Sequence, residues 1–216
     1  MRTAFLLVLA LVLAGCGGGG RSHGAVTLWV TRDRGTRVLY AGRAPAGLTA
    51  MQALEREQKV TTRYGGRFVQ SIDGVEGSLG AQRDWFFFVN GIEADRSAAE
   101  VKLHPGDVEW WDYRSWKGGA MSVPVVVGSY PEPFLHGTPG KTSVVGSNRE
   151  VAAKIAAQVH GVVNAKVTPR NFVVIGGRLA PDTARIKRFR SGVLLELGNA
   201  VARRLAHDPH ALRYRY

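Results

Sequence analysis

A single cysteine in 216 residues, Cys16, constrains this chain more than any other residue. With no second thiol there is neither a disulfide framework nor a thiolate metal site to reinforce a thin core. The chain must therefore fold on buried apolar surface alone. The position of Cys16 also gives an address. It closes the tetrapeptide Leu13-Ala14-Gly15-Cys16, which follows Met1-Arg2-Thr3 and an apolar run from Ala4 to Ala14. A short positive start, an apolar stretch and small residues at a cleavage point make a secretory signal. About eleven apolar residues are too few to cross roughly 30 Å of hydrocarbon as a helix. With Cys16 just after the cleavage point, the pattern is a bacterial lipobox. Residues 1–15 are then a signal peptide, Cys16 carries lipid, and residues 16–24, with Gly17 to Gly20, form a flexible tether. Two or three acyl chains, at about 0.8 kcal/mol per buried CH₂, anchor stably. The expected location is extracytoplasmic, on the cell membrane, with membrane lipid as partner through Cys16.

About 195 residues follow the tether, enough for one large or two small domains. The formal charge is +12. Nucleic acid is not the expected partner of an exported chain. Anionic headgroups or wall polymers fit that address, and codon bias toward Arg is an equal account of the charge.

In the first part, Val26 to Thr31 alternates and reads as a strand, Asp33-Arg34-Gly35 as a turn, and Arg37 to Tyr40 as the returning strand. Thr49-Ala50-Met51-Gln52 is a capping box that starts a short helix ending near Gln58. Strands follow at Arg67–Ile72, Trp85–Val89 and Val108–Tyr113, with Asn90-Gly91 as a two-residue hairpin turn. Ser97 to Val101 reads as a turn of helix. Between the third and fourth strands lies a Gly-rich loop, Gly74 to Ala81, longer than a simple connection needs. Hairpin, helix, further strands is the order of a β-grasp domain, here over residues 25–117. Trp110 and Trp111 fall on opposite faces of the last strand. Only one face can lie under the helix, so the aromatics of the other need a cover: the second domain, a ligand, or nothing.

The run Trp85-Phe86-Phe87-Phe88-Val89-Asn90-Gly91, followed some fifteen residues later by Pro105-Gly106-Asp107-Val108-Glu109-Trp110, resembles a bacterial surface-protein family. That family carries a domain of unknown function similar to the C-terminal domain of transcobalamin and intrinsic factor. The resemblance covers about residues 26–117. It implies a β-grasp fold and, more loosely, binding of a corrinoid or another ligand. The vertebrate proteins hold the vitamin between this domain and an α/α barrel, and no barrel sequence is present here.

Residues 121–216 read as a small α/β domain, which makes the whole chain α+β. Val123 to Val127 is an expected strand and Tyr130 to Phe134 an extended segment. Asn148 caps a helix over Arg149–Val159, and Asn171–Ile175 is a buried strand. Periodicity leaves 192–206 open between strand and helix, and Ala211 to Tyr216 is an expected final strand. Pro139-Gly140-Lys141-Thr142 is no phosphate loop, since Leu135 stands where the first Gly is required. Pro209 between His207 and His210 favours a turn over a metal site, so no metal is expected. No catalytic constellation stands out and no enzyme is expected. The expected site combines amides and polar groups of the Gly-rich loop (Gly77, Ser78, Arg83) with aromatics (Trp85, Trp111, Tyr113, Trp116). No resident cofactor is expected; a corrinoid enters as ligand. Two functions follow. One is a ligand-binding lipoprotein that presents a nutrient to a transporter. The other is an adhesion or scaffold module that docks another protein.

Overall fold

The computed structural model describes residues 24–119, 121–166, 168–189 and 191–216. The expected signal peptide and Cys16 lie outside the described residues. The fold is α+β. Strand β1 (Ala25–Arg32) turns through Asp33, Arg34 and Gly35, all at positive φ, into β2 (Arg37–Pro45). Helix α1 (Ala50–Glu57) starts with Thr49 accepting from the Gln52 N–H while the Gln52 side chain accepts from the Thr49 N–H. The expected capping box is thus present. Strands β3 (Val60–Arg63), β4 (Phe68–Ile72) and β5 (Val75–Glu76) form a small antiparallel sheet. Strands β6 (Arg83–Val89), β7 (Ile92–Glu93) and β8 (Val108–Ser115) complete the main sheet, in order β2-β1-β8-β6-β7. The central pair β1 and β8 is parallel and its neighbours are antiparallel, which is β-grasp topology. Asn90 and Gly91 take φ of 53° and 76°, as a type I′ hairpin turn requires. Ser97–Val101 is a hydrogen-bonded turn rather than a helix, closed by the Glu100 N–H on the Ser97 carbonyl.

Alternation along β8 sorts its side chains. Trp111 and Tyr113 join Leu28, Met51, Leu54 and Trp85 in the core under α1. Trp110 faces the other way with Trp29 and Phe88. The cover for that second face comes from the C-terminal part: Val126, with Tyr214 and Tyr216 packed edge-on against Trp29 and Trp110. Residues 211–214 form turns, and no strand is present over 211–216 where a final one was expected. Two tyrosines seated on aromatic rings are the interaction that the alternation had mimicked.

The second sheet has the order β10-β9-β11-β13-β12. Its elements are β9 (Thr142–Val145), α2 (Arg149–Gln158), β10 (Val162–Val163), β11 (Asn171–Ile175), β12 (Ala184–Phe189), β13 (Gly192–Leu197) and α3 (Asn199–His207). The ambiguous stretch 192–206 is both a strand and a helix, separated at Gly198. A Cβ at Gly198 would fall 2.1 Å from the Ala180 carbonyl oxygen, so the chain passes there only without a side chain. Val123–Val127 is not a strand. It is a connection with one bridge, Val125 to Ile92, ending in a 3₁₀ turn over Val127–Ser129. Nor is Tyr130–Phe134 extended: Tyr130-Pro131 is cis and a π-helical turn spans Pro133–Gly137. The apolar side chains of this connection bury themselves between the two sheets, with Val125, Val127, Tyr130 and Phe134 in the second core. Beyond the one bridge of Val125 to Ile92, they are buried by packing.

Candidate functional site

The site begins at an incomplete edge. β7 is two residues long and, along β6, covers Phe88 and Val89 alone. From Trp85 to Phe87, β6 therefore has β8 on one side and no strand on the other. The ladder register shows which backbone groups are left. Asn90 donates to the Val108 carbonyl and Trp116 to the Gln82 carbonyl, so even-numbered β6 residues bond to β8 and odd-numbered ones point outward. The Phe87 carbonyl accepts from the Ala94 N–H at 3.2 Å. The Trp85 N–H is taken by Asp84 Oδ1 at 2.8 Å. The Trp85 carbonyl and the Phe87 N–H have no partner among the described residues.

These groups open into a cleft of about 710 Å³, a volume suited to a ligand of drug size. Trp85, Phe87 and Trp111 form its floor, with Phe87 stacked on Trp111 at 4.6 Å and 17°, and Phe86 lines it from the other face of the sheet. The opposite wall is Tyr64, Phe68 and Val69 from the β3–β4 hairpin. Trp116, Leu79 and Met121 form the rim. Tyr64 and Leu79 are 78% and 79% exposed, so large apolar side chains stand in water around an apolar floor. Such a concentration marks an interaction site. The charged groups are mostly committed. Arg67 pairs with Glu100 and Arg96 with Asp95. The fully buried Arg114 guanidinium lies 3.6 Å behind the Phe86 ring and 3.4 Å from Glu93. Burial raises the carboxyl of Asp84, and the Trp85 N–H and Arg63 work against that rise.

Of the residues expected at a site, Trp85, Trp111 and Trp116 come together at this cleft. Trp85 and Trp111 are 5% and 3% exposed, and their indole N–H groups are held by the Val75 carbonyl and Glu109 Oε1. Both offer a ligand part of one surface only; Trp116 offers more. Gly77, Ser78, Arg83 and Tyr113 are placed elsewhere. Arg83 pairs with Asp33 and lies over the Tyr113 ring, whose hydroxyl donates to the Glu76 carbonyl. The Gly-rich loop is also less open than its length implies. It contains β5, Gly77 donates to the Gln70 carbonyl, and Ser78 exchanges backbone bonds with Arg83. Its amides are largely used, and the length is accounted for by an extra strand. Tyr64, Phe68 and Leu79 were not expected at the site. Their one sequence signal is large apolar residues beside Gly65-Gly66 and Gly80, where turns place them in solvent.

Comparison with known proteins adds a family for part of the chain. Residues 47–115, the segment that builds the cleft floor, match a domain of unknown function, DUF4430. No curated protein matches the sequence. Among solved structures, a conjectured metal-binding protein from Ruminococcus gnavus is 15% identical, with a TM-score of 0.36, over 43% of this chain and 97% of that one. Haptocorrin in complex with Cbi is 12% identical, with a TM-score of 0.35, over 42% of this chain and 25% of haptocorrin. Among the described residues no group of three or more His, Cys, Asp or Glu is placed to hold a metal ion. No described helix is long and apolar enough to cross a membrane.

Proposed function

We propose that this chain is a ligand-binding module that takes an apolar, ring-bearing small molecule in the β6 cleft. Lipid on Cys16 holds it outside the cytoplasmic membrane, from where it passes its ligand to a transporter. The observation that carries the reading is the cleft itself: about 710 Å³, floored by stacked aromatics, with one free backbone donor and one free acceptor at its edge. Aromatic faces bind flat apolar rings, and the backbone groups fix orientation. The pairing of Arg67 and Arg96 with neighbouring carboxylates suits binding rather than acid–base chemistry. A corrinoid, an extended ring system fringed with amides, is the first ligand to test.

Titration of the full chain with cyanocobalamin, cobinamide and a panel of other ring-bearing nutrients, read by tryptophan fluorescence, tests this. Mass spectrometry of what co-purifies with the chain extends the panel. Trp116→Ala is expected to weaken binding about two- to tenfold, the worth of one aromatic contact, with the unfolding midpoint little changed. No bound molecule by either route refutes the reading. Cys16→Ser is expected to release the protein from membranes or leave an unprocessed precursor; fractionation like the wild type refutes the anchor. The uncovered edge of β6 favours one second reading, a docking module that pairs an extended peptide with Trp85 and Phe87.

A further inference from the structure

The excess positive charge is not spread over the chain. Residues 25–119 hold 13 Lys and Arg against 12 Asp and Glu, whereas residues 120–216 hold 14 against 5. The second part is therefore strongly cationic and the cleft-bearing part nearly neutral. A compositional bias toward Arg would not by itself deplete acids from one half.

The second sheet also has one face without a helical cover. Helices α2 and α3 pack on the face that carries Val173, Val193 and Leu195. On the opposite face, strand register sets Lys187, Leu194 and Phe172 in one row and Arg185, Glu196, Val174 and Val145 in the next. Phe189 continues the face, its ring 6.4 Å from that of Phe172. Phe189 and Val145 are 40% and 42% exposed; Arg185 and Lys187 are exposed, and Lys187 lies 3.1 Å from Glu196. Charges on an edge strand such as β12 are commonly explained as a guard against sheet-to-sheet aggregation. That account covers Arg185, Lys187 and Arg188 and leaves the exposed Phe and Val beside them unexplained.

We infer that this face binds the surface of an anionic lipid bilayer, Arg185 and Lys187 meeting headgroup phosphates while Phe189 and Val145 enter the interface. The choice of a bilayer over a soluble polyanion rests on the apolar residues, since a polyanion calls for cations alone and lipid rewards both. The inference is independent of the cleft and of any lipid on Cys16.

The test is cosedimentation of the full chain carrying Cys16→Ser with vesicles of phosphatidylcholine, alone or mixed with phosphatidylglycerol. Binding is expected to need phosphatidylglycerol and to weaken as salt rises. Replacing Arg185 and Lys187 together by Ser should reduce it on the order of tenfold. Phe189→Ser and, separately, Val145→Ser should each reduce it several-fold with the unfolding midpoint unchanged. Equal binding to both vesicle types overturns the proposal. Loss in the charge variant with no loss in either apolar variant also overturns it, and assigns the face to a polyanion such as a wall polymer.

Discussion

Glu109 makes the stability of this protein depend on pH in an unusual direction. Its side chain is fully buried between β1 and β6, opposite Leu28 and Val89. Oε1 accepts from Trp111 Nε1 at 2.5 Å, and Oε2 has no partner among the described residues. Burial pushes the carboxyl from about 4.5 up to about 8, against the lowering influence of the Trp111 hydrogen bond. Below pH 4.5 both folded and unfolded chains hold the proton, and the contribution to stability is complete. Between 4.5 and 8 the unfolded chain releases it and the folded chain does not, so stability falls with rising pH at about 1.4 kcal/mol per pH unit. The whole loss is on the order of 4–5 kcal/mol and is complete above pH 8. Glu109→Gln removes the titration while keeping the shape and an acceptor for Trp111. Urea unfolding of both proteins at pH 5 and pH 8 measures the effect. The variant should gain about 3–4 kcal/mol on the wild type between the two pH values, whatever its offset at pH 5. A constant difference refutes the argument, because it would mean that Glu109 titrates alike in both states.

Two further predictions follow from packing. Gly91→Val places a β-branched residue at φ 76°, with its Cβ 2.8 Å from Pro133 Cγ and 3.0 Å from the Val126 carbonyl oxygen. A loss of about 1–3 kcal/mol from backbone strain is expected in thermal or urea unfolding, and a melting temperature within a degree of wild type refutes the assignment. Trp111→Ala empties a buried site stacked on Phe87 and should cost about 3–5 kcal/mol, unlike Trp116→Ala at the rim; equal costs for the two would refute the distinction between floor and rim.

The N-terminal sheet was the more legible part because its signals are local. Thr49 and Gln52 lie three residues apart and announce a helix start; Asn90-Gly91 needs no distant partner to be a turn. Sequence periodicity fails where burial has another cause. Val123 to Val127 is apolar because it fills the space between two sheets. Tyr214 and Tyr216 alternate because every second residue of the tail meets an aromatic ring. β12, Ala184–Phe189, is charged enough on its exposed side to look like a loop. The three tryptophans at the cleft could be identified from their aromatic density. The opposite wall could not: that Tyr64 and Phe68 face Trp85 is set by how the β3–β4 hairpin folds back, and nothing in their spacing records it.

The seating of Tyr214 and Tyr216 on Trp29 and Trp110 has a consequence for how the molecule is assembled. Strand β1 is finished on its rear side by residues about 185 positions later in the chain. Until those arrive, a row of indoles and Phe88 stands open. A proteolytic cut after Leu212 would recreate that state in a mature molecule, leaving every described strand intact and a sticky aromatic surface on the rear of the main sheet. Loss of the segment after Leu212 should thus promote self-association before any strand is lost.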